Sequence, residues 1–204
     1  MILDLSRIVI WLIVSVFIFF KIRSSRIVRK KLAYFLAIAL CFFLVTISGM
    51  YPIENLFVDF KSPESVFNYA NYGKVSDIIY GEESCMVIYT QNDVSGQYII
   101  PKTEEGYKIP NYFATKKVSS KFDKNGTFDV YNISGTRDYY IVGMILSNAS
   151  EQNIVDSQNR PVEKIVVDNM GDAETKSVTI YSCVENFNSD YYLIINGVKT
   201  TIAE

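Results

Sequence analysis

Long uncharged apolar runs are confined to the first fifty residues, where they predict two membrane-spanning helices. The second run, residues 32–50, has nineteen residues without a charge, which is enough to cross a bilayer core of about 30 Å as a helix. The first uncharged run, residues 8–20, is shorter, so a span there must include the residues before it. Asp4 and Arg7 lie in that extension and share a helix face, where they partly neutralise each other. We therefore predict transmembrane helix 1 over residues 1–22 and transmembrane helix 2 over 32–50.

The segment between the two runs is basic and predicts their orientation. From residue 21 to 31 the chain has six cations and no acid. Short loops with such an excess of Lys and Arg stay in the cytoplasm, so we expect a cytoplasmic loop over residues 23–31. Residues 51–204 have thirteen Lys or Arg and twenty-one Asp or Glu, a net charge of −8, and are expected outside the cell. The residues that determine this topology are Lys21, Arg23, Arg26, Arg29, Lys30 and Lys31.

These patterns predict a multi-pass protein of the plasma membrane with an extracellular C-terminal domain. A cleaved secretory signal is the alternative. The first run ends at basic residues rather than at a small-residue cleavage site, which argues against cleavage there. The second run would be a late signal cleaved near Ser48-Gly49, although it is longer than the usual apolar core of about 7–15 residues. That alternative stays open.

Beyond residue 50 the apolar positions come in short alternating runs, which predict a β-rich domain with one early helix. Ser62-Pro63-Glu64 has the features of a helix start, so a helix is expected over about 63–72. Nine or ten short strands follow, and Asn125-Gly126 and Asn196-Gly197 are typical hairpin turns. The fold class is therefore a two-helix transmembrane hairpin followed by a mainly antiparallel, β-rich α+β extracytoplasmic domain. We expect either an open sheet backed by the helix or a small sandwich.

The composition excludes several kinds of chemistry. His is absent, which removes His-based triads, His general bases and His metal ligands. Three Cys are too few for a disulfide scaffold or a Cys-only zinc site, so neither a metal nor another cofactor is expected. Cys85 and Cys183 lie in predicted extracellular strands, where a disulfide would persist. The sequence is compatible with a bridge between them and with two separate buried thiols.

No catalytic constellation is apparent, and we expect a non-catalytic binding protein. The adjacent acids Glu82-Glu83 and Glu104-Glu105 point to opposite sides of an extended chain, unlike the facing carboxylates of a glycosidase. The basic loop is too short to bind nucleic acid and suits anionic lipid head groups better. The linker, residues 51–55, spans at most roughly 17 Å, so the domain should lie directly on the membrane.

The function predicted from the sequence is that of a membrane-anchored accessory, sensor or immunity-like protein. Its expected partners are the lipid bilayer and another membrane or surface protein, without nucleic acid. A membrane-bound hydrolase of the cell envelope and a small subunit of a transporter or channel complex are the alternatives. The abundance of Ile, Asn, Lys and Tyr is typical of AT-rich bacterial genomes, so we expect a bacterial protein.

Overall fold

The computed structural model describes residues 2–24, 26, 29–124, 126–147, 152–169 and 176–203. Two long helices come first, α1 over Ile2–Ser24 and α2 over Lys30–Met50. They pack side by side and antiparallel. The ring centroids of Phe19 and Tyr34 are 5.5 Å apart towards one end, and Trp11 is hydrogen-bonded to Ser48 towards the other.

In the described part of the chain, one helix is long and apolar enough to cross a membrane, namely α2. Its large apolar side chains, including Phe35, Ile38 and Phe42, are exposed rather than packed in a core. The structure therefore supports one candidate span near the N-terminus instead of the predicted two-helix transmembrane hairpin. By length and composition alone, such a helix near the N-terminus is also compatible with a signal sequence.

The rest of the molecule is mostly antiparallel β-sheet with little helix, as the sequence predicts. A short 3-10 helix, Ile53–Leu56, follows α2, and α3 over Pro63–Ala70 lies where a helix is expected. Twelve strands are found among the described residues. They are β1 Lys74–Tyr80, β2 Ser84–Gln91, β3 Val94–Thr103, β4 Gly106–Tyr107, β5 Thr115–Asp123, β6 Gly126–Ile133, β7 Tyr139–Ser147, β8 Ile154–Asp156, β9 Lys164–Asn169, β10 Lys176–Val184, β11 Tyr192–Ile195 and β12 Val198–Thr201.

Among these residues the strands form three antiparallel sheets. The first sheet has the order β1-β2-β3-β4, the central sheet β5-β6-β7-β10-β9 and the third sheet β12-β11-β8. Strands that are not consecutive in the sequence are neighbours in two of these sheets, because β10 lies between β7 and β9 in the central sheet and β11 pairs with β8 in the third. The arrangement is thus more layered than the single open sheet or small sandwich expected from the sequence.

Buried side chains fall between four layers, in the order α3, first sheet, central sheet, third sheet. Strand β2 shows why, because consecutive side chains of a strand point to opposite faces. Cys85 and Val87 pack with Phe67 of α3, whereas Met86 and Ile88 pack towards the central sheet. The other face of the central sheet packs on the third sheet through Phe128, Val130, Ile141, Leu193, Ile195 and Ile202.

Local sequence explains where α3 begins and how the hairpins turn. Ser62 caps α3 by accepting a hydrogen bond from the backbone N–H of Ser65 at 3.3 Å, and Pro63 takes the first helical position. In the β11–β12 hairpin, Asn196 and Gly197 have φ of 50° and 84°, the left-handed values that a type I′ turn requires. The β2–β3 hairpin uses Asn92-Asp93 in the same way.

Candidate membrane-proximal site

An ion pair joins the two helices to the domain. The guanidinium of Arg7 in α1 donates two hydrogen bonds to the carboxylate of Glu54 in the 3-10 helix, each of 3.0 Å. The two side chains are only 13% and 12% exposed, so this bidentate pair is well shielded from water. The sequence-based pairing of Arg7 with Asp4 stays a prediction, and the structure shows Glu54, 47 residues away, as a partner of Arg7. The side chain of Asp4 lies outside the described residues.

One turn further along α1, Trp11 makes a second polar contact, this time with α2. Its indole N–H donates to the hydroxyl of Ser48 in α2 at 2.9 Å, and Ser48 itself is buried. Ser48 in turn donates to the carbonyl of Val45 at 2.9 Å. An indole packed among apolar groups is stabilised when its N–H finds such an acceptor. Trp11 thus ties α1 to α2 near the outer ends of the two helices.

The segment predicted as a linker is bonded to the domain rather than free. Asn55 donates from its amide to the carbonyl of Ile109 at 2.8 Å and accepts from the backbone N–H of Ile109 at 2.9 Å. The backbone N–H of Tyr112 donates to the carbonyl of Met50 at 2.9 Å. Lys108 donates to the carbonyl of Asn55 at 2.9 Å. The last turn of α2 and the loop after β4 therefore form one hydrogen-bonded unit.

A cavity of about 380 Å³ lies where the helix ends meet the first and central sheets. Arg7 forms part of its wall, and Gln97, Asn111 and Thr115 supply neutral polar groups. Burial raises the pKa of Tyr98, another wall residue, to about 12, so that its hydroxyl stays protonated at neutral pH. The cavity therefore offers hydrogen bonds and apolar walls rather than free charge. Its apolar and aromatic walls come from Tyr98, Ile99, Ile109, Pro110, Tyr112 and Tyr131.

The predicted topology-determining residues lie together at the other end of the helix pair. Lys21 and Arg23 are in the last turn of α1, Arg29 caps α2, and Lys30 and Lys31 are in its first turn. The ammonium group of Lys30 donates to the carbonyl of Arg23 at 3.1 Å, which ties the two helix ends. Arg26 is exposed between the helices, while residues 25, 27 and 28 lie outside the described part of the chain.

Cys85 and Cys183 are both free thiols in the structure, so the disulfide that the sequence allows is not formed there. The reason is the alternation along β2. Cys85 faces α3, whereas Cys183 of β10, in the central sheet, packs against the opposite face of the first sheet. Burial raises the pKa of each thiol to about 12, which makes both poor nucleophiles at neutral pH.

An acidic recess of about 300 Å³ lies at the border of the first and central sheets. Its deepest residue, Asp138, is completely buried and accepts hydrogen bonds from the N–H of Glu83 at 2.9 Å and the hydroxyl of Ser84 at 2.7 Å. Gly81 approaches the same carboxylate so closely that a Cβ there would overlap it. Asp138 therefore joins the two sheets, a role that no local pattern in the sequence indicates.

The other carboxyl of interest in the recess is Glu163. It accepts a hydrogen bond from the backbone N–H of Cys183 at 3.2 Å, and burial raises its pKa. Arg160, also in the wall, pairs with Asp156 at 2.7 Å. Within the described residues, no group of three or more His, Cys, Asp or Glu is placed to hold a metal ion.

No protein-family model, curated protein or solved structure matches this chain.

Proposed function

We propose that the protein is a non-catalytic, membrane-anchored binding protein whose β-rich domain lies outside the cell. In this proposal α1 and α2 both cross the plasma membrane, and the domain acts as an accessory, sensor or immunity-like partner of another membrane or surface protein. The observation that carries it is a set of contacts that join the helices to each other and to the domain, which we call the seam. It consists of the Arg7–Glu54 ion pair, the Trp11–Ser48 hydrogen bond and the hydrogen bonds between Asn55 and Ile109. This seam holds the cavity and the domain at a fixed height beside the helix ends.

The exposed faces of the two helices support a lipid environment. Leu12, Ile13 and Phe17 of α1 are exposed, as are Ile38 and Phe42 of α2. So large a continuous apolar surface is unfavourable in water and favourable in hydrocarbon. Trp11 and Ser15 of α1 make their polar contacts with Ser48 and Cys41 of α2, so these groups are turned away from the outward faces.

The pairing of Arg7 sets how deep α1 enters the bilayer. Its partner Glu54 comes after the end of α2, so Arg7 belongs at the outer interface and the residues before it continue beside the domain. Residues 8–20 then cross the hydrocarbon with a length of about 20 Å. This is shorter than a typical bilayer core, and the long stems of Lys21 and Arg23 can reach the inner head groups to compensate.

The charges at the inner end support the orientation. Lys30 and Lys31 occupy the first turn of α2, which has no acid. Cations there are unfavourable for the helix dipole, so they do not stabilise α2 as a helix. Retention of a basic loop in the cytoplasm explains them directly.

The internal pairing of Arg7 also argues against the transporter-subunit alternative. That alternative expects a charge in the first span to pair with a helix of another chain. The Arg7 guanidinium is instead satisfied by Glu54 of the same chain.

The orientation is tested by labelling two engineered cysteines with a membrane-impermeant maleimide. Lys124→Cys lies beside the β5–β6 turn and Arg26→Cys lies between the helices, and both positions are exposed. We expect Lys124→Cys to react in intact cells and Arg26→Cys to react only after lysis. The native chain is the control, because Cys85 and Cys183 have thiol pKa values of about 12. The reverse pattern would contradict the proposed topology.

The acidic recess supports a second candidate, a membrane-bound hydrolase acting on envelope material. Asp138 is committed to its hydrogen bonds, so Glu163, whose pKa is raised by burial, would be the acid. The test is release of soluble fragments from purified cell walls by the full-length protein in liposomes. Activity abolished by Glu163→Gln and retained by the exposed Glu104→Gln would favour the hydrolase. Absence of release by the native protein would favour the binding protein.

A further inference from the structure

We propose that the folded domain itself inserts two apolar loops into the outer leaflet, at the boundary between head groups and acyl chains. We call residues 56–58 and 112–113 together the leaflet surface. This inference rests on the proposed function, because the leaflet in question is the one in which α2 ends. The domain would then be held on the membrane by its own side chains as well as by the helices.

The leaflet surface is apolar and open. Leu56 and Phe57 are 77% and 83% exposed, and Tyr112 is 76% exposed. Val58 and Phe113 are also exposed, and the rings of Tyr112 and Phe113 meet edge to face at 5.1 Å between centroids. Aromatic and aliphatic side chains of this kind are favoured where a membrane meets water.

Hydrogen bonds fix the height of both loops relative to α2. The backbone N–H of Tyr112 donates to the carbonyl of Met50, the last residue of α2, at 2.9 Å. Leu56 ends the 3-10 helix that begins three residues after Met50, and Phe57 closes it by donating to the carbonyl of Glu54 at 3.0 Å. Both loops therefore lie at the level where α2 leaves the hydrocarbon, and they continue its exposed apolar surface.

The charges around the leaflet surface are paired. The segments 50–60 and 108–113 are fully described, and their charged residues are Glu54, Asp59 and Lys108. Glu54 binds Arg7, and Asp59 forms an ion pair with Lys108. Both acids of these two described segments are thus paired, which lowers the repulsion from anionic lipids and the cost of approaching hydrocarbon, although the whole domain has a net charge of −8.

Another exposed aromatic residue provides a matched control. Phe122 is 86% exposed at the end of β5 in the central sheet, beside the β5–β6 turn. It is as open as Phe57 but belongs to a hairpin with no hydrogen bond to the helix ends among the described residues. Because Phe57 and Phe122 are equally exposed, a difference between the two positions in the test below reports lipid contact rather than exposure.

The test uses the fact that Trp11 is the single tryptophan of the chain. In a Trp11→Phe background, Phe57→Trp, Phe113→Trp and Phe122→Trp each introduce one indole at an exposed position. Each full-length variant is reconstituted into phosphatidylcholine liposomes whose lipids have bromine atoms at shallow or deep acyl positions. Tryptophan fluorescence is then compared with that in unbrominated liposomes.

We expect Phe57→Trp and Phe113→Trp to be quenched by shallow bromines and to emit at shorter wavelength than Phe122→Trp, which should not be quenched. Tyr112→Trp provides a second probe of the same loop if Phe113→Trp alters the circular dichroism spectrum. The native chain separates the two proposals. Quenching of native Trp11 without quenching at positions 57, 112 or 113 would overturn the leaflet surface alone. Absence of Trp11 quenching would overturn the membrane anchor and the leaflet surface together.

Discussion

The helix pair and the β-rich domain differ in where they place their large apolar side chains. The contacts between α1 and α2 include the Trp11–Ser48 hydrogen bond and the Phe19–Tyr34 rings, while Phe17 and Phe42 are exposed. In the domain the enclosed side chains are apolar, such as Phe67 and Phe128. Under the proposed membrane anchor this difference follows from the solvent, because lipid favours an apolar exterior and water an apolar interior. The Arg7–Glu54 ion pair then lies at the border between the two surroundings.

The largest expected effect contrasts two phenylalanines. Phe67 of α3 is fully buried against the first sheet, and Phe42 of α2 is 75% exposed. We expect Phe67→Ala to lower the free energy of unfolding of the domain by about 3–5 kcal/mol, because it leaves a cavity in the core. Phe42→Ala should leave that free energy nearly unchanged.

Chemical denaturation in mild detergent, followed by the tyrosine signal of the domain, measures both variants. Equal losses for Phe67→Ala and Phe42→Ala would mean that α2 packs in a common core with the domain, contrary to the comparison.

The next effect concerns the Arg7–Glu54 ion pair between the helices and the domain. We expect Arg7→Gln to lower the free energy of unfolding by about 2 kcal/mol, because it leaves the shielded Glu54 carboxylate without its cation. The double variant Arg7→Gln/Glu54→Gln should recover part of that loss. Arg137→Gln is the matched control, since Arg137 is 69% exposed beside Glu82 and should cost less than about 1 kcal/mol.

The same denaturation assay gives all three values. A loss for Arg7→Gln no larger than that for Arg137→Gln would show that the seam does not hold the domain on the helices.

The smallest effect is a dependence on pH. Lys164 of β9 forms an ion pair with Asp77 of β1, and its hydrogen bond holds the pKa of Asp77 below the ordinary value. A depressed folded-state pKa gives stability that is present above the unfolded value of about 3.9 and is lost as the pH falls through the folded value. Because Asp77 is substantially exposed, we expect a contribution below about 1 kcal/mol.

Asp77→Asn should therefore reduce stability near neutral pH and flatten its decline in acid, whereas the exposed Asp190→Asn should do neither. Unfolding curves recorded at a series of pH values test this. If the loss of stability in acid is unchanged in Asp77→Asn, that loss comes from other carboxyl groups.

Local patterns in the sequence account for much of the fold and for little of the site. Ser62-Pro63 and Asn196-Gly197 act through neighbouring residues, so their helix start and turn are readable from the chain. Strands β4 and β8, of two and three residues, are too short for a periodic signal. The Asn92-Asp93 turn lacks the glycine that identifies a type I′ hairpin most clearly.

The seam was missed for a different reason. The helical spacing rule considers only the acid three residues from Arg7, whereas Glu54 is brought to Arg7 by the packing of α1 beside α2. In the same way, the separation of Cys85 from Cys183 depends on the face of the first sheet that each one lies on or packs against. Strand prediction alone does not specify the stacking of three sheets.

The central claim is that both helices belong to the mature protein and hold the domain at the outer leaflet. Intact-mass spectrometry of the protein extracted from the membrane fraction of expressing cells tests it most directly. The account predicts the full chain of 23.3 kDa, with peptides of α1 recovered after digestion. A soluble product that begins near Gly49, cut after a late signal sequence, would contradict it.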